Sequence, residues 1–221
     1  MDEFEWTAKS PLRQVRVPGT FDATTPEPGV RLSERTRYGL LQIMARRGRR
    51  AETAAVSYHF YGVEPPARPA VSFGKDVTLV WSGADQYLAL WQGDHRPVDA
   101  VRSAFGSAAS VSDQSEGRCL VQLSGPRVRD VLAKVSSLDL HPEAFPIGAA
   151  AATFIDRTAV NLWRESDAAD GSAVFCILMF ASFAESIWHV ILMAAAEFGY
   201  LTECGLSLPR RERTESVDHE Q

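Results

Sequence analysis

Few residues in this 221-residue sequence stand where chemistry could be done, and each has a competing structural use. His141 follows Asp139 by two positions in Leu138-Asp139-Leu140-His141-Pro142, a spacing at which a carboxylate can orient an imidazole for acid–base work. A loop histidine before a proline is more often a hydrogen-bonding turn residue. His59 and His189 fall in helical stretches among aromatic and aliphatic neighbours, where packing is the expected role. Asp113 in Asp113-Gln114-Ser115 is the best single polar candidate, yet a turn carboxylate that accepts backbone N–H bonds explains it more simply.

The cysteines Cys119, Cys176 and Cys204 are odd in number and far apart, and no pair has metal-ligand spacing. Cys119 and Cys176 lie in apolar runs, where free cysteine behaves as a small hydrophobe. Cys204 has no basic neighbour in sequence to activate it. A Rossmann site needs a glycine-rich turn so that backbone can approach a pyrophosphate. Here Gly83, Gly93, Gly125 and Gly148 stand singly, and the P-loop and H-E-x-x-H patterns are also missing. The expectation is a chain with no catalytic, cofactor-binding or metal site of its own.

Two features point instead to a partner. Arg46-Arg47-Gly48-Arg49-Arg50 places four arginines in five residues, either as a solvated turn or as a docking point for an acidic surface. Phe183 to Phe198 reads as a helix apolar over most of its circumference, which implies burial on more than one side. Phe183, Ile187, Ile191, Ala194 and Phe198 form one stripe, and Trp188, Leu192 and Ala195 form a second. Arg46, Arg47, Arg49, Arg50 and Trp188 are therefore the candidate partner contacts, with the N-terminal segment as the rival cover for the second stripe.

The elements that position these residues follow from periodicity. Residues 1–34 carry Pro11, Pro18, Pro26 and Pro28 and read as an extended arm, although Phe4, Trp6, Leu12, Val15, Val17 and Phe21 are too apolar for a free tail. Leu40 to Ala45 reads as a strand and Ala51 to Tyr61 as a helix, followed by a proline-rich linker, Glu64 to Pro69. Val77 to Trp81 and Tyr87 to Trp91 form a hairpin, and a helix then ends at Gly106. Ala109 to Val111 suits a further strand. Cys119 to Leu123 climbs as a strand to Ser124-Gly125-Pro126, with Ser124 as the expected N-cap and Pro126 opening a helix that carries Val128, Val131, Leu132 and Val135. Ala149 to Ile155 and Thr158 to Trp163 form a second hairpin, and Val174 to Phe180 is apolar throughout, as a strand buried on both faces must be. Ser182 and Glu185 have capping-box spacing at the last helix, and Gly199 stops it. The second half echoes the first in element order, without a detectable sequence repeat. The reading is an α+β fold of two similar strand–helix–strand halves with antiparallel sheets. It occupies residues 35–205, between the arm and a flexible charged tail at 206–221.

Composition narrows the partners. A net charge of −5 and a pI near 5.6 argue against a general nucleic-acid binder, and a helix-turn-helix around Gly48 lacks a long polar recognition helix. Glu185, His189 and Glu197 interrupt the longest apolar helix, so no membrane span is expected. The N-terminus has no basic flank before an apolar run, so cytoplasm is the expected location.

Asp113-Gln114-Ser115, Leu123-Ser124-Gly125-Pro126 and Leu138 to Pro142 with Phe145-Pro146 together resemble the gamma subunit of heterotetrameric sarcosine oxidase. Leu41 to Arg49 and Ser182 to Trp188 match in the same order, and the resemblance runs from about residue 36 to 199. Ala181 departs from it, since that family usually carries arginine before its Ser-Phe-Ala. The resemblance implies a fold like that of the folate-binding glycine-cleavage aminomethyltransferase. It also implies a structural subunit in a complex that oxidatively demethylates sarcosine to glycine, with formaldehyde or methylene-tetrahydrofolate as the other product. Alpha, beta and delta subunits are then the partners, and FAD, FMN, NAD and tetrahydrofolate belong to them. A free-standing folate-binding or aminomethyltransferase-like protein is the alternative.

Overall fold

The computed structural model describes residues 9–21, 27–93 and 97–206, with side chains described up to 203 in the last strand. Its strands are β1 (Gly19–Phe21), β2 (Val30–Arg35), β3 (Tyr38–Ala45), β4 (Val71–Phe73), β5 (Thr78–Gly83), β6 (Gln86–Gln92), β7 (Ala109–Asp113), β8 (Arg118–Ser124), β9 (Ala150–Ile155), β10 (Thr158–Glu165), β11 (Val174–Phe180) and β12 (Tyr200–Leu206). Its helices are α1 (Arg50–Tyr61), α2 (Val98–Phe105), α3 (Val128–Val135) and α4 (Ala184–Ala195).

Period-two alternation assigns each side chain to a layer. In β11, Phe175, Ile177 and Met179 enter one buried cluster with α3 and α4, while Cys176 and Leu178 enter another with Leu40, Leu88 and Leu90 of the neighbouring sheet. In β6, Leu88 and Leu90 face that middle layer, and Tyr87 and Ala89 face a third cluster with Val101 and Phe105 of α2. The result is four layers, helix–sheet–sheet–helix, in which the middle core is shared by both sheets.

The two halves have the same topology. The five-stranded sheet runs β4-β5-β6-β3-β7, and the seven-stranded sheet, read from its other edge, runs β9-β10-β11-β8-β2-β12-β1. In each half a strand leads into a helix (β3 to α1, β8 to α3). Three strands follow, the last of which (β6, β11) pairs antiparallel with the first, and a second helix (α2, α4) comes next. The difference is β2, which pairs antiparallel with β8 and pushes β12 one place outward into a parallel ladder. An antiparallel bridge between Ala70 and Ala149 ties the corresponding edges of the sheets together.

The antiparallel hairpins, the strand of residues 174–180 and the four helices stand where periodicity put them, with α4 extended at both ends by single 3-10 turns. Three expectations are corrected. The boundary drawn between residues 34 and 35 falls inside β2, because Val30 and Leu32 are fully buried in the α3/α4 core and the strand is central to its sheet. Ser124 ends β8 instead of capping α3; the N-cap is Arg127, and Gly125 bridges the two with φ +120°. A Cβ on Gly125 would lie 2.6 Å from the Gly29 carbonyl oxygen, so this glycine serves a close backbone crossing. The Ser182–Glu185 capping box does not form, since Phe183 is the N-cap and no side chain caps the helix. From residue 207 onward the expected charged tail lies outside the described residues.

Candidate functional site

The arginine turn closes the gap between β3 and α1. Backbone bonds from Arg46 N to Ala108 O (2.8 Å) and from Arg49 N to Arg46 O (2.8 Å) fix it, and Gly48 takes φ +76° in open space. All four arginines are exposed. Arg49 pairs with Glu52 on the first turn of α1, and Arg50 lies 3.7 Å from Asp85 and donates to Ala67 O at 3.1 Å. The side chains of Arg46 and Arg47 have no carboxylate partner among the described residues, so this turn presents uncompensated positive charge on a chain that is acidic overall.

A groove of about 720 Å³ opens beside the turn. Its walls are Ala51 and Ala54 of α1, Pro66 of the following loop, and Trp81 and Tyr87 of the β5–β6 hairpin. The inner side of α1 is unusual: Thr53 and Ser57 are its buried residues, and Tyr58 is 61% exposed. Thr53 Oγ1 lies 2.9 and 3.0 Å from Arg49 O and Ala108 O and shares its one hydrogen between them, which satisfies that buried hydroxyl locally. The groove was not legible in sequence, because alanines and prolines carry no periodic signal that separates a cavity wall from ordinary surface.

Trp188 is not part of any exposed surface. It is 1% exposed and lies in the same buried cluster as Leu12, Leu132 and Ile191. The second stripe of α4 is therefore internal, and the expectation that Trp188 contacts a partner is corrected by its burial in the chain's own core. Leu12, fully buried, comes from the N-terminal segment, so that segment packs on its own domain.

The polar candidates resolve as turn chemistry. Asp113 Oδ1 accepts from Ser115 N (2.9 Å) and Ser115 Oγ (2.7 Å), and Ser115 Oγ accepts from Leu40 N (2.9 Å). Asp139 Oδ1 accepts from His141 N at 2.9 Å, and His141 Nδ1 accepts from Glu143 N at 3.4 Å, which makes an exposed loop brace. His59 and His189 are exposed, not packed, and His189 Nδ1 lies 3.0 Å from Glu185 O in the preceding turn. Burial pushes the Cys119 thiol well above its ordinary range, with Glu34 adding to it, and burial raises Cys176 likewise. Among the described residues no group of three metal-ligating side chains converges.

One constellation was missed entirely. Glu34 of β2 is 3% exposed and accepts from Ser10 Oγ and pairs with Arg16, with Cys119 Sγ 3.9 Å away. Its place two residues after Leu32 on the same strand face was the available signal; the prolines around it obscured the strand.

Residues 47–197 match the model of the family described as "Sarcosine oxidase, gamma subunit family". The chain belongs to this family. A sarcosine oxidase subunit gamma from Corynebacterium sp. (strain U-96) is 31% identical over 74% of this chain and 76% of its own length. Another, from Corynebacterium sp. (strain P-1), is 34% identical over 55% of this chain and 58% of its own length. Among solved structures, a chain of the heterotetrameric sarcosine oxidase from Corynebacterium sp. U-96 matches with TM-score 0.73 and 28% identity, covering 86% of this chain and 95% of that one. The glycine cleavage system aminomethyltransferase T from Bartonella henselae shares the fold at TM-score 0.59 and 14% identity, over 90% of this chain and 60% of that one. Among the described residues no helix is long and apolar enough to cross a membrane.

Proposed function

We propose that this chain is the gamma subunit of a heterotetrameric sarcosine oxidase and works as a structural member of it, without an active site of its own. The complex oxidatively demethylates sarcosine to glycine, and alpha, beta and delta subunits are the partners. FAD, FMN, NAD and tetrahydrofolate are held by those partners. The observation that carries the reading is the likeness to a chain of a heterotetrameric sarcosine oxidase over 95% of that chain's length, which is the likeness of a whole subunit rather than of a shared motif.

The exposed Arg46, Arg47, Arg49 and Arg50 turn is the proposed docking point for an acidic surface on a partner. Co-expression of the tagged chain with the three partner subunits tests both statements. A complex of four polypeptides with sarcosine-dependent oxygen consumption is expected, and the chain expressed alone is colourless. Stoichiometric flavin absorbance in the isolated chain overturns the assignment of cofactors to the partners. Purification of the tagged chain without the others overturns the subunit role. Arg46→Glu with Arg47→Glu should weaken assembly, and more strongly at low ionic strength than at high.

A further inference from the structure

The two halves of the chain share a topology, and the second half fills a space that the first leaves open. Tyr87 and Phe175 are equivalent positions: each is the second residue of its strand and pairs with the sixth residue of the strand beside it, Ile43 and Leu123 respectively. The neighbouring ladder agrees, since Trp81 pairs with Tyr87 and Arg164 with Phe175. Trp81 N donates to Ala70 O (3.1 Å) just as Arg164 N donates to Ala149 O (2.9 Å).

In the second half, the loop after α3 returns Leu140 and Phe145 into the core, 5% and 6% exposed, and the Phe145 ring lies 6.3 Å from Phe175. The fourth and fifth residues of α3, Val131 and Leu132, close the space from above. In the first half, the corresponding loop is Glu64-Pro65-Pro66-Ala67-Arg68-Pro69, which has no large apolar side chain to insert. The fourth and fifth residues of α1 are Thr53 and Ala54. The groove of about 720 Å³ over Trp81 and Tyr87 is the space left by these smaller residues.

We infer that this groove receives an aromatic side chain from another subunit of the complex, carried on a segment with acidic neighbours; the inference rests on the subunit role proposed above. The ring takes the place over Tyr87 that Phe145 holds over Phe175, and such anchors in preformed apolar pockets dominate interface energetics. Ala51 and Ala54 lie at helical spacing in the groove wall and let the incoming backbone approach α1. Charge sets the character of the flanks. Asp85 is taken by Arg50 and Glu52 by Arg49, while Arg46, Arg47 and Arg68 have no carboxylate partner among the described residues. Against them stands Glu64 in the lining. The chain's own N-terminal segment is committed elsewhere: Ser10 and Arg16 hold Glu34 in the α3/α4 layer, on the far side of both sheets from α1.

The test uses the co-expressed complex with the tag on a partner subunit. Ala54→Trp fills the groove from within. It should leave the melting temperature of the isolated chain unchanged and weaken its retention in the complex by roughly thirtyfold. Met193→Trp, on the exposed outer side of α4, serves as the control and should assemble normally. A photo-crosslinking p-benzoylphenylalanine at Ala67, on the exposed rim where it leaves the groove open, should form an adduct with another subunit, at a peptide that contains an aromatic residue beside Asp or Glu. Unchanged assembly of a folded Ala54→Trp chain overturns the inference. So does an adduct confined to this chain or a second copy of it, or one at a peptide without acidic residues. If the wild-type chain does not assemble at all, the subunit role itself fails and the inference falls with it.

Discussion

Ser10 and Glu34 are joined across the rim of the α3/α4 core: the serine hydroxyl lies 2.7 and 2.6 Å from the two oxygens of a carboxylate that is 3% exposed. Arg16 completes the grip from the same turn, in which Leu12 is fully buried. Pairing and hydrogen bonds offset the cost of burying this carboxylate, so deleting one member leaves its partners uncompensated. Glu34→Ala should destabilise the chain by about 3 kcal/mol, and Ser10→Ala by about 1 kcal/mol. Urea unfolding checks this: the midpoint should fall without a change in the slope.

Trp188→Ala removes one of the largest fully buried side chains. A loss of about 3 to 5 kcal/mol is expected in the isolated chain. A variant that unfolds at the wild-type denaturant concentration and fails only in assembly contradicts the internal placement of this ring.

Asp113 and Ser115 extend the pairing of β3 beyond the end of β7, since Ser115 Oγ accepts from Leu40 N and Gln114 N donates to Leu40 O at 2.9 Å. Ser115→Ala should cost about 1 to 2 kcal/mol, because it leaves a buried N–H without an acceptor. Asp113→Ala acts through the same serine, so the double variant should cost less than the sum of the single ones. A thermal-unfolding double-mutant cycle reads the coupling directly.

Strands and helices whose pattern is local were legible. The run of residues 174–180 announced a strand buried on both faces, and Val128, Val131 and Leu132 announced the face of α3. β2 was not legible, because Pro26, Pro28 and Gly29 precede it and Glu34 occupies an inward position that an apolar residue would have marked. Trp188 was readable as buried but not as buried by what: the segment carrying Leu12 lies far away in sequence. The arginine turn was plain in the sequence, whereas its groove depends on the smallness of Thr53 and Ala54, which only a second, filled half makes meaningful.

The raised thiols give a pH dependence of known sign. Cys119 and Cys176 hold their protons in the folded chain beyond the ordinary value of 9.0, first because burial disfavours the thiolate. The folded chain then holds more protons than the unfolded chain above that value, so stability is fully present below it and falls as pH rises past it. The slope should reach about 1.4 kcal/mol per pH unit for each thiol, and Cys119→Ala should remove one such contribution. Iodoacetamide should leave both thiols unmodified in the native chain at pH 8 and alkylate them in urea; native labelling of either one contradicts their burial.

The parallel ladder between β2 and β12 sets a timetable. Val30 waits for Tyr200, its partner in the register, which leaves the ribosome about 170 residues later, roughly ten to thirty seconds at ordinary rates of synthesis. The five-stranded sheet is complete by Asp113 and has no such delay. β2 can pair with β8 once Ser124 has emerged, but its second edge stays open until Tyr200 and the rest of β12 follow. A chain interrupted between Ser124 and Tyr200 therefore carries a finished first sheet and a second with an unpaired edge strand, which is a template for edge-to-edge association.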